Sequence, residues 1–397
     1  MAENTGEHTL QSLSATLNRL SQKGLSITER DEERRNLAAF AANFNSVSSP
    51  TAQKLWDALP NITDYGARWI AAKMLRDAGL KNEAEGEIAL AALTVTFVEN
   101  SDPGSRQMGS GLIRDLGIRH ESLAVQASVG LSMLLGKETD QSARFAEKNA
   151  LLALAMKYEH VSPVANEYIG KALLAEEDPH ARIMISADLR TLGTTYPTQA
   201  SSAMRRIAKA AESETDLLTA QHYAHDIAAI ALQHPSTAAQ AVETLSAGFR
   251  TGKDVATLSS YAHSLSLLGE KHPAPVIVEM AGLLEEGLGN DQRRMIFVSL
   301  KDMADAGGVT TAASVETLKN ALGKEDVPFN RRLIVEGLMT GVRAEASETD
   351  DVKETLKAHL ANEKDPETYK HVERHLRSLG YVKPFAGNVL SFQPKMA

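Results

Sequence analysis

Two stretches of the sequence decide the fold. Residues 102–117 read DPGSRQMGSGLIRDLG, and residues 178–193 read DPHARIMISADLRTLG. Each stretch begins with Asp-Pro, carries Arg four residues after the Asp and ends in Leu-Gly. An Asp side chain accepts the free N–H groups at a helix start, and Pro is tolerated at the first helical position. Each stretch therefore predicts a helix of about 15 residues that begins just after the Asp.

The same pattern recurs along the chain with a period of about 38 residues, a length typical of helical repeats. Aspartate stands in strict register at Asp64, Asp102, Asp140, Asp178, Asp216 and Asp254. Extension backwards reaches Ser26, and extension forwards reaches Gln292, then a register slip of about three residues before Asp365. The unit near Val327 departs from the pattern.

Further columns of residues follow each of these positions. Arginine stands four residues later at Arg30, Arg68, Arg106, Arg144 and Arg182. Because this Arg lies on the same helix face as the Asp, the pair is expected to bridge adjacent units. Glycine recurs at multiples of 38 at Gly79, Gly117, Gly193, Gly269 and Gly307, and again at Gly380, where it predicts left-handed helix C-caps.

A second apolar segment precedes each capped helix, so the unit is a helical hairpin. The predicted first helices are residues 9–21, 50–59, 83–97, 122–135, 163–174, 197–211, 235–249, 273–284, 312–322 and 352–360. No alternating β pattern appears, which predicts an all-α fold. A lone hairpin cannot bury its apolar face, so stacked neighbours must bury it. We expect about ten hairpins forming one solenoid over residues 1–383, with an N-terminal capping hairpin at about 7–46 and an irregular tail at 384–397.

The capped helix resembles the second helix of HEAT repeats. That family's pattern has Asp-Pro near the turn, an Arg four residues on, small residues in mid-helix and Leu-x-x-Leu-Gly. The resemblance covers about residues 7–383 and implies a right-handed, HEAT/armadillo-like α-solenoid that binds partners. The units that begin at Asp216, Asp254 and Gln292 lack the Arg. Tetratricopeptide repeats, with a period of 34, fit less well.

Composition limits the function classes. The chain has 42 Lys and Arg against 51 Asp and Glu, a net charge of −9, which disfavours binding to a polyanion. The absence of Cys excludes disulfides, thiolate metal sites and cysteine nucleophiles. No secretory signal, long apolar segment, nucleotide fingerprint or nucleophile elbow is present, so we expect a cytoplasmic, non-enzymatic monomer without a cofactor.

The second helices are expected to line the concave face, where a protein or peptide partner would bind. The residues predicted to contact it are Trp69, Lys73, Arg76, Gln107, Arg114, Phe145, Asn149, Arg190, His225 and His263. Trp and Arg are frequent binding hot spots, and the first half of this face predicts a groove for a peptide or a helix. Alternatively, Trp69 and Phe145 pack against the neighbouring hairpin. Phe297 and Lys301 are the last exposed positions predicted on this face.

Two histidine patterns are candidate ligand sites. Tyr223 with His225 and Tyr261 with His263 stand one repeat apart and predict either a polar cluster or buried tyrosines beside solvated histidines. His371 and His375, spaced i, i+4, can share a metal ion. No third ligand is evident there, and the charged surroundings favour an exposed final helix, so no metal site is assigned.

A protein-binding scaffold is the function best supported by the sequence. The alternatives are an enzyme on a HEAT-like scaffold, such as a DNA glycosylase-like or bilin lyase-like protein, a nucleic-acid or small-ligand binder, and a secreted effector that acts on host proteins. A continuous positive groove would favour nucleic acid over a protein partner.

Overall fold

The computed structural model describes residues 3–22, 24–42, 49–252, 254–345 and 348–381, with the side chains of 3–9 and 49 left aside. These residues form twenty α-helices and no strand, which confirms the all-α prediction. The predicted irregular tail at 384–397 lies outside the described residues.

The helices follow one another as ten hairpins within the described ranges, as the 38-residue period predicts. The first helices are α1 (Glu3–Leu20), α3 (Ser49–Ala58), α5 (Glu83–Val98), α7 (Ala124–Lys137), α9 (Ser162–Ala175), α11 (Pro197–Ala211), α13 (Ala238–Thr251), α15 (Pro273–Glu285), α17 (Gly308–Leu322) and α19 (Thr349–Leu360). The second helices are α2 (Ile27–Ala42), α4 (Tyr65–Gly79), α6 (Pro103–Arg119), α8 (Gln141–Lys157), α10 (Pro179–Thr195), α12 (Leu217–Gln233), α14 (Val255–Lys271), α16 (Asn290–Ala304), α18 (Pro328–Ala344) and α20 (Pro366–Ser378).

The chain forms two compact units, unit 1 (Met1–Thr219) and unit 2 (Ala220–Ala397). Within each unit the helices stack in two layers, because first helices contact the next first helix and second helices the next second helix. The core lies between the layers. In unit 1 it contains Leu75, Ile113, Leu151 and Leu189, which recur with the 38-residue period and are all fully buried.

The six aspartates in 38-residue register are all N-caps. Each accepts a main-chain N–H from the first turn of its helix, as Asp64 does from Ala67 at 2.7 Å and Asp254 from Thr257 at 2.8 Å. Ser26 forms a reciprocal capping box with Glu29. The predicted helix starts are therefore confirmed.

The left-handed C-cap prediction is confirmed at two of the six recurrent glycines, Gly307 and Gly380, which have φ values of +86° and +77° just after α16 and α20. The other four are not left-handed caps. Gly79, Gly117, Gly193 and Gly269 lie within helices, and none has a positive φ. A Cβ on Gly117 would lie 2.6 Å from the Cβ of Ala127, and one on Gly269 would lie 2.3 Å from the Met303 methyl carbon. At these two positions glycine serves close helix packing and not a left-handed turn.

The register also slips earlier than predicted. Gly289 caps α16, three positions short of a full period after Asp254, and the period of 38 then resumes at Val327 and Asp365. The unit near Val327 is therefore regular, and Gln292 is not a cap but a first-turn residue whose side chain accepts the Gly289 N–H. In the corrected register Phe297 is a core position, and it is 1% exposed, so its predicted place on the binding face is wrong.

Candidate functional site

The second-helix face of unit 1 is the surface presented by α2, α4, α6, α8 and α10. It contains two cavities, each lined by one of the aromatic residues predicted to contact a partner. We name them the Trp69 cavity and the Phe145 cavity.

The Trp69 cavity has a volume of about 340 Å³ and lies between α2 and α4. Trp69 is 39% exposed, so its ring is available at the surface and is not enclosed by the neighbouring hairpin. The α2 side of the cavity is lined by alanines only, Ala38, Ala41 and Ala42. Small side chains opposite a large ring leave room for an inserted apolar group. The predicted residue Lys73 lines the same cavity.

The Phe145 cavity has a volume of about 380 Å³ and lies mainly between α8 and α10. Its apolar lining includes Phe145, Met184 and Ile185, of which the first two are 39% and 38% exposed. Gln107, another predicted residue, lines it from α6. Exposed aromatic and Met side chains in a concave setting are typical of surfaces that receive a partner's apolar side chains.

A buried lysine holds the Phe145 ring in place. The Lys148 ammonium group lies 4.6 Å from the centre of that ring, within the range of a cation–π contact. It also donates a hydrogen bond to Asn149 Oδ1 at 3.0 Å and pairs with Asp188 on α10. Burial raises the pKa of Asp188, and the attraction of Lys148 only partly offsets this. The Lys148–Asp188 pair therefore connects two repeats directly beneath the cavity.

The predicted arginine column is neutralised by neighbouring carboxylates. Arg76 contacts Asp77 at 2.6 Å and Asp115 at 3.1 Å, and Arg114 contacts Asp115 at 2.8 Å. Arg190 is half-buried and lines neither cavity. The structure therefore does not place these arginines with the two aromatic residues in one groove.

The two Tyr–His repeats of unit 2 consist of buried tyrosines beside solvated histidines, which was the second interpretation left open by the sequence. Tyr223 and Tyr261 are buried at 0% and 4% exposure, whereas His225 and His263 are exposed. Neither histidine belongs to a group of three potential metal ligands in the described chain. They are surface residues beside a tyrosine core.

The final helix of unit 2 differs from its prediction. His371 and His375 are only 16% and 15% exposed, because α20 packs against α18. Glu336 on α18 places Oε1 3.1 Å from Nε2 of His371 and 3.2 Å from Nε2 of His375. The expectation of an exposed helix without a third candidate ligand is wrong, since Glu336 approaches from α18 at a level along the helix that the sequence does not predict.

Five arginines at the fourth position after a cap, three of them in the predicted column, have a partner that the sequence analysis missed. They pair with a buried Glu two residues before the next cap, whereas Arg30 and Arg68 donate to the main-chain carbonyls of Leu25 and Ile62. The five pairs are Arg106–Glu138, Arg144–Glu176, Arg182–Glu214, Arg293–Glu325 and Arg331–Glu363, with N–O distances of 2.5–3.3 Å. The signal that could have found them is this Glu, which recurs at one constant spacing after each of the five arginines.

In these pairs, which we name the Arg–Glu joints, the Glu also closes its own turn. Glu138 accepts the N–H of the cap residue Asp140 at 2.7 Å, and Glu363 that of Asp365 at 2.8 Å. Burial alone would raise the pKa of Glu138, but the hydrogen bonds from Arg106 and the Asp140 N–H outweigh burial and hold this pKa below its usual value. Each joint therefore ties one repeat to the turn of the next.

Comparison with solved structures shows the fold. The chain matches the karyopherin Kap121p bound to the SUMO protease Ulp1p with a TM-score of 0.52 and 9% identity, over 94% of this chain and 43% of the karyopherin. It matches Kap121p bound to Nup53p with a TM-score of 0.53, 9% identity and the same coverage. The chain thus spans less than half the length of these HEAT-repeat proteins, and its fold is a HEAT-type α-solenoid.

No family model and no curated protein matches the sequence. Within the described ranges, none of the helices combines the length and the apolar character needed to cross a bilayer.

Proposed function

We propose that this protein is a non-enzymatic, protein-binding scaffold, and that the second-helix face of unit 1 receives its partner. The observation that carries the proposal is the pair of cavities on one helix layer, each with a partly exposed aromatic ring, Trp69 in one and Phe145 in the other. Rigid aromatic side chains in such settings dominate the binding energy of many interfaces.

The spacing of the two cavities indicates the size of the partner segment. Trp69 and Phe145 lie on α4 and α8, two repeats apart. Stacked helices pack at about 8–10 Å, so the two rings are separated by about 20 Å along the stack. About six residues of extended chain or about 13 residues of helix span that distance. A single peptide with two apolar anchors could therefore occupy both cavities.

The charges of this face support a protein over a nucleic acid. Arg76 and Arg114 are paired with carboxylates, and Lys148 is paired with Asp188. These cations therefore do not form a track of free positive charge for phosphates. The net charge of the chain, −9, points the same way.

Solved structures of the same fold provide a precedent. Kap121p is described in complexes with Ulp1p, with Nup53p and with Ste12p, so a solenoid of this class binds several unrelated protein segments. This likeness supports a protein partner in general and identifies none.

Site-specific photo-cross-linking tests the proposal. A photoreactive phenylalanine analogue is placed at position 69 or 145, and adducts formed in the native cell are identified by mass spectrometry. The matched control is position 125 on α7, a first helix, where Val125 is 47% exposed. We expect the same protein at positions 69 and 145 and not at 125. Equal capture at all three positions, or no adduct at 69 and 145, would overturn the proposal.

A further inference from the structure

The clearest cluster of ligand-type side chains outside unit 1 joins the last two repeats. Glu336 lies on α18, and His371 and His375 lie one turn apart on α20. One ligand atom from each residue lies within 4.8 Å of the other two. In the part of the chain that the structure describes, this is the one group of three His, Asp or Glu residues with such an arrangement.

We propose that Glu336, His371 and His375 form a binding site for a divalent transition-metal ion, zinc by the preference of its ligands. Two imidazoles and one carboxylate are the three protein ligands of many zinc sites that keep a fourth position open. The i, i+4 spacing places both rings on one face of α20, and the carboxylate approaches that face from α18.

The distances fit a tetrahedral ion. Zinc binds His nitrogen and carboxylate oxygen at about 2.0–2.2 Å, so two such donors lie about 3.3 Å apart at a tetrahedral angle. Glu336 Oε1 lies 3.1 Å from one Nε2 and 3.2 Å from the other. The two rings stand edge to face, with their centres 4.7 Å apart. Both carboxylate–imidazole distances therefore match those around a tetrahedral ion, and the third pair of donors lies within 4.8 Å.

Hydrogen bonding alone leaves one of these atoms unexplained. Nε2 of His371 is buried and makes no hydrogen bond of acceptable geometry, although Glu336 Oε1 is close. A buried polar atom without a partner calls for an explanation, and a bound ion is a common one.

Neighbouring charges decide whether a cation is tolerated. Arg332 and Arg374 both act on His371. Arg332 lies 3.5 Å from Asp365 and 3.6 Å from Glu367, so its positive charge is partly offset. The three ligand side chains are 35%, 16% and 15% exposed, which leaves the ion a path from solvent. The bound ion would fasten the last second helix, α20, to α18.

Zinc titration of the full chain without an affinity tag tests the site. Calorimetry in a non-chelating buffer measures stoichiometry and affinity, and visible absorption of the Co²⁺-substituted protein reports the coordination geometry. We expect one ion per chain, a tetrahedral cobalt spectrum and a zinc-dependent rise in melting temperature. His375→Ala and Glu336→Gln should each weaken zinc binding at least tenfold.

Two variants are matched controls. Glu373→Gln removes a carboxylate of the same helix that pairs with Arg377 instead, and His160→Ala removes an exposed histidine of unit 1. Both should bind zinc like the parent chain. If His375→Ala lost helicity by circular dichroism, Glu336→Gln would decide alone. The absence of stoichiometric binding, or unchanged affinity in Glu336→Gln, would overturn the proposal.

Discussion

The turns that lead into the second helices are closed in two different ways. At the Arg–Glu joints, an Arg from the preceding repeat reaches a buried Glu that also holds the cap residue. At the turn before α14 there is no such Glu, and Gly252 stands two residues before the cap Asp254. The Arg of a joint is replaced there by Ala220 of the preceding repeat. Leu258, the fourth residue after the cap, packs its side chain over Gly252, 2.9 Å from where a Cβ would lie. Five of the described turns thus use an Arg–Glu pair, and this one uses apolar packing.

In two repeats the Arg and the Glu of a joint are missing together. Where the Arg is missing, as at Ala220 and Leu258, the Glu before the next cap is missing too, with Gly252 and Gly287 in its place. Gly287 has a φ of +72°, a conformation that favours glycine, so a Glu there would be strained. The shortened turn before α16 therefore accounts for the missing Glu at position 287, and the Arg–Glu pattern resumes at Arg293.

Breaking an Arg–Glu joint should have the largest effect. Glu138→Ala would leave the guanidinium of Arg106 half-enclosed without its bidentate partner, and the N–H of Asp140 without an acceptor. We expect a loss of about 3–5 kcal/mol in the free energy of unfolding, measured by urea titration followed by circular dichroism. Glu99→Ala is the control, because Glu99 forms only an exposed pair with Lys137 at 3.7 Å. It should cost less than about 0.5 kcal/mol, and equal effects would show that the joint is not the cause.

Forcing charge onto the apolar turn should have the next largest effect. Leu258 is 4% exposed, and Leu258→Arg would replace it with a cation. At the position where a joint has its Glu, this repeat is followed by Gly287, so the cation would have no carboxylate partner there. Lost burial and the unpaired charge together should cost about 2–4 kcal/mol, measured by the same titration. Ser259→Arg, at the adjacent exposed position, should be nearly neutral. If both variants were equally stable, the turn would not depend on apolar packing.

A buried carboxyl group beside one joint should make the stability depend on pH. Glu147 is fully buried and neither of its carboxyl oxygens has a hydrogen-bond partner. Burial, and then the charge of Glu138, raise its pKa to about 8. A group whose pKa is raised on folding adds stability that is fully present below its unfolded pKa, about 4.3, and is lost as pH rises through about 8.

Glu147→Gln should remove that dependence. The variant is isosteric and uncharged, so we expect its free energy of unfolding to change less between pH 5 and pH 9, with the parent chain losing a few kcal/mol more over this interval. Urea titrations at several pH values measure the slope. Parallel curves for parent and variant would show that Glu147 is ionised in the folded protein.

The sequence predicted the repeat better than the contacts between repeats. The helix starts followed from the Asp column, because capping is a local interaction within a few residues. Four of the six glycines were misread because only the packing of a neighbour, such as Ala127 against Gly117, shows what a Cβ would meet. Trp69 and Phe145 were predicted from their positions outside the apolar stripe, whereas Glu336 could not be assigned to His371 and His375. That contact depends on which turn of α18 lies opposite the two histidines of α20. The 38-residue period does not predict this alignment to within one helical turn.

The smallest expected effect compares the same cap at the two kinds of turn. Asp178 caps α10 at a turn that Glu176 also holds, since Glu176 Oε1 accepts the Asp178 N–H at 3.0 Å and Arg144 contacts its other carboxyl oxygen at 3.1 Å. Asp254 caps α14 at a turn without such a Glu. Loss of a cap costs about 1 kcal/mol, so Asp178→Ala and Asp254→Ala should lower global stability by similar, small amounts.

Hydrogen exchange should separate them, because the first-turn amides of α14 lose their main constraint while those of α10 remain beside the Arg144–Glu176 joint. Faster exchange at α14 alone would show that the joints hold the turns independently of the caps. Equal exchange at both turns would mean that the Asp side chain dominates at each, and that the buried Glu acts between repeats and not within its own turn.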